Sequence, residues 1–335
     1  MTAIDPSLRL GRAGGNDATD RFVRFFAWAN LFLLGMFLFQ TVLVVILGFE
    51  GPSAALGGEG GPAAWLLLLF YPAAVIAAWF FVSGTPLRGL REDSDKISGF
   101  NAWIVRGAFF AVLFVGVVDF AISFLRVEEM LPGLLGEDLA GQMNRSLFRG
   151  PYVHLPLVAL GFVLALFARG PGFTWLALMI VGAELLIVIS RFVFSYEQAF
   201  MGDLVRFWYA ALFLFASAYT LLDEGHVRVD VFYAAMDLRR KGWVNTIGAV
   251  LFGLSLCWVI LLLGMNSGAA TIMAPLMKFE VTQTGFGLFV KYLMAGFLGI
   301  FAITMLIQFC AMLMESVADI KGEPGHRDRD GAAAS

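Results

Sequence analysis

The stretch "RFWYAALFLFASAYTLL" (206–222) carries a single charge, at its first position, and is followed at once by "DEGHVRVDVFYAAM" (223–236). A helix of the first segment has no polar face to offer water, so it belongs in lipid or in a core. The second segment places Asp223, Glu224, His226, Arg228 and Asp230 within eight positions. Such an abrupt change from apolar to charged marks the end of a membrane crossing rather than the middle of a soluble domain.

Working outward, the whole chain has the same character. It is 59% hydrophobic and 15% charged over 335 residues, well below the roughly one-quarter charge of soluble domains. Its formal net charge is -3 and no basic block runs along it, which excludes nucleic acid as a partner class. The two cysteines, Cys257 and Cys310, both sit in apolar runs, where a thiol acts as a small hydrophobe and builds neither a disulfide framework nor a metal site.

Crossing a bilayer core takes roughly twenty apolar residues in a helix. Eight runs approach that length, near 25–48, 63–82, 104–125, 152–168, 173–195, 206–222, 244–266 and 287–315. The first is too long for the apolar part of a signal peptide and lacks a small-residue cleavage site, so it reads as a retained span. The fourth is short and contains Pro151 and Pro156, and "ARGPGF" (168–173) must turn tightly for runs four and five both to cross. The expected fold is an all-α polytopic membrane helix bundle of about eight transmembrane helices.

Lys and Arg accumulate in alternate connections. Arg9, Arg12, Arg21 and Arg24 precede run one, Arg88, Arg91 and Lys96 follow run two, and Arg169 follows run four. Arg228, Arg239, Arg240 and Lys241 follow run six, and Lys321, Arg327 and Arg329 follow run eight. The positive-inside rule then puts both termini in the cytoplasm. Trp28, Trp103, Trp175 and Trp243 all begin their spans on that same side, at a level suited to amphipathic rings. Residues 223–243 become an inner loop in which Val229, Phe232, Tyr233 and Met236 repeat at i, i+3, i+4 and i+7, the pattern of a short interfacial helix. From the residues alone, a solvated positive-inside loop explains the same charges.

The motifs around that loop carry a resemblance. "RFVF" (191–194) closes one span, "GDLVRF" (202–207) opens the next, and "GHVRVDVFY" (225–233) closes that one. Together they resemble the small permease subunit of tripartite ATP-independent periplasmic (TRAP) transporters over about residues 172–317. Asp203 stands where that family usually carries a glutamate. The resemblance implies a four-span small-permease region at 172–317; outside it, hydropathy and charge give a cytoplasmic tail (1–24), about four additional spans (25–171) and a disordered cytoplasmic tail at 318–335. It also implies division of labour: a large permease subunit holds the substrate and coupling-ion sites, a periplasmic solute receptor delivers a small organic solute, and the small subunit braces the moving part. Neither enzymatic activity nor a cofactor is expected.

The residues support a scaffold independently. Midplane transport sites use broken helices, and here the only clear candidates are Pro72 in run two and "MNSGAATIMAP" (265–275), which sits at a span end. His154, His226 and His326 are not placed to face one another across two spans, as a buried haem requires. An independent carrier or channel formed by the eight spans is the alternative.

Charges inside spans are functional candidates, because hydrocarbon burial costs about 2.5–3.5 kcal/mol even on insertion scales. Glu184 lies mid-run, and Arg191, seven residues on, shares its helical face. Asp119 lies about 22 Å along its span and Arg191 about 27 Å along its own, so a pair between them is considered. Asp203, Arg206, His226, Arg228 and Asp230 complete the expected assembly residues. The last three are expected to fasten run six to the interfacial helix.

Overall fold

The computed structural model describes residues 17–168, 172–222, 233, 235–282 and 286–326. In chain order its α-helices are α1 (Ala18–Thr41), α2 (Pro52–Leu56), α3 (Pro62–Ser83), α4 (Leu90–Val127), α5 (Leu131–Leu135), α6 (Glu137–Met143) and α7 (Ser146–Arg149). They continue with α8 (Leu155–Phe167), α9 (Gly172–Phe194), α10 (Ala199–Leu222), α11 (Leu238–Ile247), α12 (Ser255–Met265), α13 (Met273–Lys278) and α14 (Lys291–Lys321). Three wider π-helical stretches, Val42–Ile46, Gly150–His154 and Gly248–Leu254, extend α1, precede α8 and join α11 to α12.

Among the described residues eight helices are long and apolar enough to cross a membrane: Ala18–Ile46, Pro62–Ser83, Leu90–Val127, Ser146–Phe167, Thr174–Phe194, Ala199–Leu221, Leu238–Met265 and Lys291–Lys321. The helix is the form that satisfies every backbone N–H and C=O within its own segment, which hydrocarbon demands. Proline marks several starts, among them those of α2, α3, α5 and α8, where Pro52, Pro62, Pro132 and Pro156 occupy first-turn positions in which the missing N–H has no intrahelical role. Asp237 caps α11 by accepting a bond from the Arg240 N–H at 3.2 Å. Of the expected interfacial helix, Val229 and Phe232 lie outside the described residues; α11 begins only after it.

The spans differ sharply in burial. In α14 67% of the most apolar window is buried, and in α4 44%, whereas in α9 the share is 6%. α4 and α14 therefore carry the core, and α9 presents almost its whole surface outward.

The chain forms two compact units. One comprises residues up to Gly99 together with Leu222–Cys257 and the segment from Leu306 onward; the other comprises Phe100–Leu221 and Trp258–Met305. Each unit contains residues from both the N-terminal and the C-terminal half of the sequence.

In the first unit the fully buried Arg24 guanidinium bonds Asp93 Oδ2 at 2.7 Å, the Thr85 carbonyl at 2.9 Å and the Thr85 hydroxyl at 2.7 Å. Trp28 Nε1 donates to the same Asp93 oxygen at 2.9 Å, so this indole also has a specific buried acceptor. Lys321 meets Asp20 at 2.6 Å and Asp17 at 3.0 Å, and Arg91 meets Asp319 at 2.7 Å. Ser94 Oγ donates to the Ala311 carbonyl at 2.9 Å, and Gln308 donates to Ser98 Oγ at 3.3 Å. These contacts join the first hundred residues to the last helix. Hydrogen bonds and close packing hold helices together where lipid is as apolar as the side chains.

In the second unit Asn101 Nδ2 donates to the Thr304 carbonyl at 2.9 Å, and Trp208 Nε1 donates to the Val112 carbonyl at 3.2 Å. Phe297 packs against Phe207 in a tilted arrangement and against Phe215 edge to face, with centroid separations of 5.2 and 5.0 Å. Glycine sets the α4–α8 approach: a Cβ at Gly161 would stand 2.5 Å from the Ala111 backbone nitrogen.

Candidate functional site

The densest buried polar cluster of the second unit forms around Asp119. Its carboxylate enters from the C-terminal part of α4, Arg149 from the end of α7, His154 from the π-helical stretch before α8, and Tyr292 from the first turn of α14. The side chains of Asp119, Arg149 and His154 are wholly buried. Arg149 Nη1 lies 2.7 Å from Asp119 Oδ1, and His154 Nε2 lies 3.0 Å from the same oxygen. On the far side of the imidazole, Nδ1 is 2.8 Å from Tyr292 Oη. The second carboxylate oxygen accepts the Phe289 backbone N–H at 2.8 Å.

An ionised carboxylate only accepts, so Nε2 carries a hydrogen toward Asp119, and Nδ1 shares the second bond with the Tyr292 hydroxyl. The Asp119 charge is paired with Arg149, whose Nη2 is buried without a hydrogen-bond partner among the described residues. Arg149 is further held by the Met143 carbonyl at 3.0 Å and Ser123 Oγ at 3.3 Å. Its guanidinium carbon stands 4.2 Å from the centre of the Phe289 ring, and that of Arg126 stands 4.7 Å from it. Arg126 also donates to the Gly287 carbonyl at 2.8 Å.

The local chain explains how these residues meet. An α-helix carries residue i+5 about 140° around from residue i, so Arg149 and His154 would diverge. Pro151 lacks an N–H, and the Pro156 ring crowds the carbonyl four residues earlier. The helix widens to π geometry over Gly150–His154, with i to i+5 bonds that bring both side chains inward. Gly150 allows the opposing loop to close, since a Cβ there would lie 2.2 Å from the Phe279 ring.

The segment entering α14 is thus pinned from two helices. Asp119 of α4 holds the Phe289 N–H, and Asp203 of α10 holds the Leu288 N–H at 3.2 Å through Oδ2. The other Asp203 oxygen lies 3.1 Å from exposed Arg206. The cluster is buried and directed inward, which suits fastening rather than turnover. Asp119, Arg149 and His154 come from the N-terminal region and Tyr292 from the C-terminal one, so the same cluster bolts the two sequence regions together.

The expected residues therefore separate. Asp119 and Asp203 reach the α14 entry, and Arg206 stays at its edge. The pair considered between Asp119 and Arg191 is corrected: Asp119 binds Arg149 and His154, while Arg191 Nε lies 3.3 Å from Glu197 Oε2 at the end of α9. Glu184 is exposed on α9 and has no hydrogen-bond or ion-pair partner among the described residues. His226, Arg228 and Asp230 lie outside the described residues. Arg149, His154 and Tyr292 were not among the expected residues; an arginine and a histidine flanking Pro151 in an apolar run were the available signal.

Nearby, Tyr196 Oη donates to Glu128 Oε1 at 2.6 Å. Burial, then the hydrogen bond and charge of Glu128, push the phenol from 10.0 up to about 12. The folded state thus favours the protonated phenol. The contribution of this contact is full below about pH 10 and is lost as pH rises toward about 12. Tyr196→Phe is expected to remove one tyrosinate step near pH 12 from the ultraviolet pH titration; an unchanged high-pH limb would contradict the contact.

This fold defines an integral, multi-pass helical membrane protein. Residues 179–319 match the family model of the tripartite ATP-independent periplasmic transporters, DctQ component. The C-terminal region is accordingly that of a small TRAP permease subunit, in a chain extended at its N-terminus. The DctQ component is a transporter family, not an enzyme family. No curated protein and no solved structure matches the chain.

Proposed function

We propose that this chain is the small membrane subunit of a TRAP-type secondary transporter and braces a large permease subunit during ion-coupled uptake. The solute is a small organic molecule, anionic in this reading, delivered by a periplasmic receptor. The site is the inner membrane of a bacterium, and the distribution of Lys and Arg supports cytoplasmic termini.

One observation carries the reading. Glu184 lies at the centre of the span Thr174–Phe194, ten residues from either end, on the helix that its own chain buries least. Ten residues correspond to about 15 Å, too far for a glutamate to reach either headgroup layer. A carboxylate at that depth requires a polar partner, and the chain supplies none among the described residues. A second membrane subunit packed on α9 supplies it. The interlocked helices of each unit give that partner a stiff surface to move against.

Vesicles test the proposal against an independent carrier. The chain alone should give no solute uptake above empty vesicles, and uptake should appear when the large subunit, receptor and ion gradient are supplied. Saturable uptake by the chain alone would favour a carrier. His226, Arg228 and Asp230 belong to the same proposal as the fastening of the inner end of α10. Alanine at Arg228 or Asp230 should weaken assembly or uptake with membrane insertion intact. If all three alanine variants match the parent, the motif is only a positive-inside loop.

A further inference from the structure

We propose that residues 322–326 form a proton-operated strap, which closes over the end of α14 when Glu323 and His326 carry protons and opens when they lose them. The sequence turns the chain sharply at this point of the first unit. Gly322 and Gly325 adopt φ of +69° and +94°, values that favour glycine, and Pro324 cannot continue a helix. The Gly322 N–H donates to the Asp319 carbonyl at 3.1 Å and the Glu323 N–H to the Ala318 carbonyl at 3.0 Å, the paired bonds of a Schellman cap. The turn carries the chain back onto the start of α4. There Arg91 Nη2 donates to the Glu323 carbonyl at 3.1 Å, and a Cβ on Gly325 would lie 3.7 Å from Arg91 Cδ.

Two titratable side chains of the strap face carboxylates. His326 Nδ1 lies 3.0 Å from Asp319 Oδ1, the oxygen that also accepts from Arg91 at 2.7 Å, and Glu315 stands 3.8 Å from the same guanidinium. Arg91 opposes a charge on His326 across the shared oxygen, but two carboxylates outweigh one arginine. A proton on His326 turns its contact with Asp319 into an ion pair. Glu323 faces Asp20 of α1, Arg91 of α4 and Lys321 at the end of α14. Asp20 is wholly buried, and Lys321 meets its Oδ1 at 2.6 Å and Asp17 at 3.0 Å. Asp20 Oδ2 and Glu323 Oε1 are each buried without a hydrogen-bond partner among the described residues. Burial first, and then the charge of Asp20, hold the Glu323 carboxyl above its ordinary 4.5, with Lys321 and Arg91 pulling the other way.

Both groups act in the same direction. A carboxyl that binds its proton more tightly in the closed strap favours closure fully below its ordinary 4.5, and that contribution is lost as pH rises through the raised value. Histidines lose their charge between about pH 5 and 8, so the ion pair with Asp319 is also lost as pH rises. Closure therefore takes up protons, and release frees the end of α14 from Arg91. With the termini in the cytoplasm, as proposed above, the protons are cytoplasmic; a test on protein in detergent does not depend on that orientation.

Hydrogen exchange of the full chain in mild detergent, read by mass spectrometry on peptides covering 319–326, tests the strap. A free peptide of the same sequence supplies the intrinsic exchange rate at each pH. Protection should be at least about threefold higher at about pH 5 than at about pH 8, which is what one exposed ion pair supplies. His326→Ala should lose protection at the lower pH, and Glu323→Gln, which removes the repulsion from Asp20, should gain it at the higher one. The double variant should show protection independent of pH. Amides in the buried middle of α14 should not change between the two conditions. Equal protection of the parent at both pH values, a pH dependence that survives in the double variant, or an equal change in the middle of α14 would overturn the strap.

Discussion

Asp119→Ala is expected to destabilise the protein by about 3–5 kcal/mol, because it leaves the Arg149 charge buried and uncompensated. The carboxylate accepts from Arg149, His154 and the Phe289 backbone, so its loss strands three donors at once. Asp119→Asn retains an acceptor for Phe289 and removes the charge, and should fall between parent and alanine. The double replacement Asp119→Leu with Arg149→Met should recover much of the loss, since apolar groups of similar volume substitute for buried ion pairs at little cost. Thermal or detergent unfolding of the four proteins measures the coupling. A single alanine variant within about 1 kcal/mol of the parent would place this cluster in the class of weak surface pairs.

The second large effect concerns α9. Glu184→Leu is expected to lower recovery of a complex with the large permease about tenfold or more, the loss of one buried charge-assisted contact worth about 1.5–3 kcal/mol. Glu184→Gln keeps the shape and two hydrogen-bonding groups and should lose less. The discriminating observation is the order of the two variants in co-purification and uptake. Equal recovery of both with the parent would mean that the carboxylate meets no partner.

The fold was legible because the membrane imposes a simple rule on composition. The eight apolar runs correspond to eight spanning helices, and "RFWYAALFLFASAYTLL" lies wholly within α10. Helix length was less legible. The third run was expected at 104–125, yet α4 begins at Leu90, because hydropathy does not register "REDSDK" (91–96), where Arg91, Asp93 and Ser94 find partners. The fourth run, short and doubly interrupted by proline, crosses as Ser146–Phe167 by including a π-helical stretch.

The site was less legible for a related reason. Asp119 was visible as a charge in a span, but its partner was sought by depth alone, which pointed to Arg191. The true partner, Arg149, looked like a loop arginine, and its alignment with His154 depends on a helical widening that a period of 3.6 does not contain. Tyr292, far along the chain, carried no signal beyond its position at a span start. Glu184 needed only hydropathy and a count of residues to be noticed.

The most direct measurement is photo-crosslinking from position 184 in native membranes. A short photoreactive residue replaces Glu184, and the adduct is identified after solubilisation in mild detergent. The account predicts a covalent product with a much larger polytopic membrane protein, formed from position 184. Adducts with lipid alone from position 184, with the chain recovered as a solitary monomer, would contradict it.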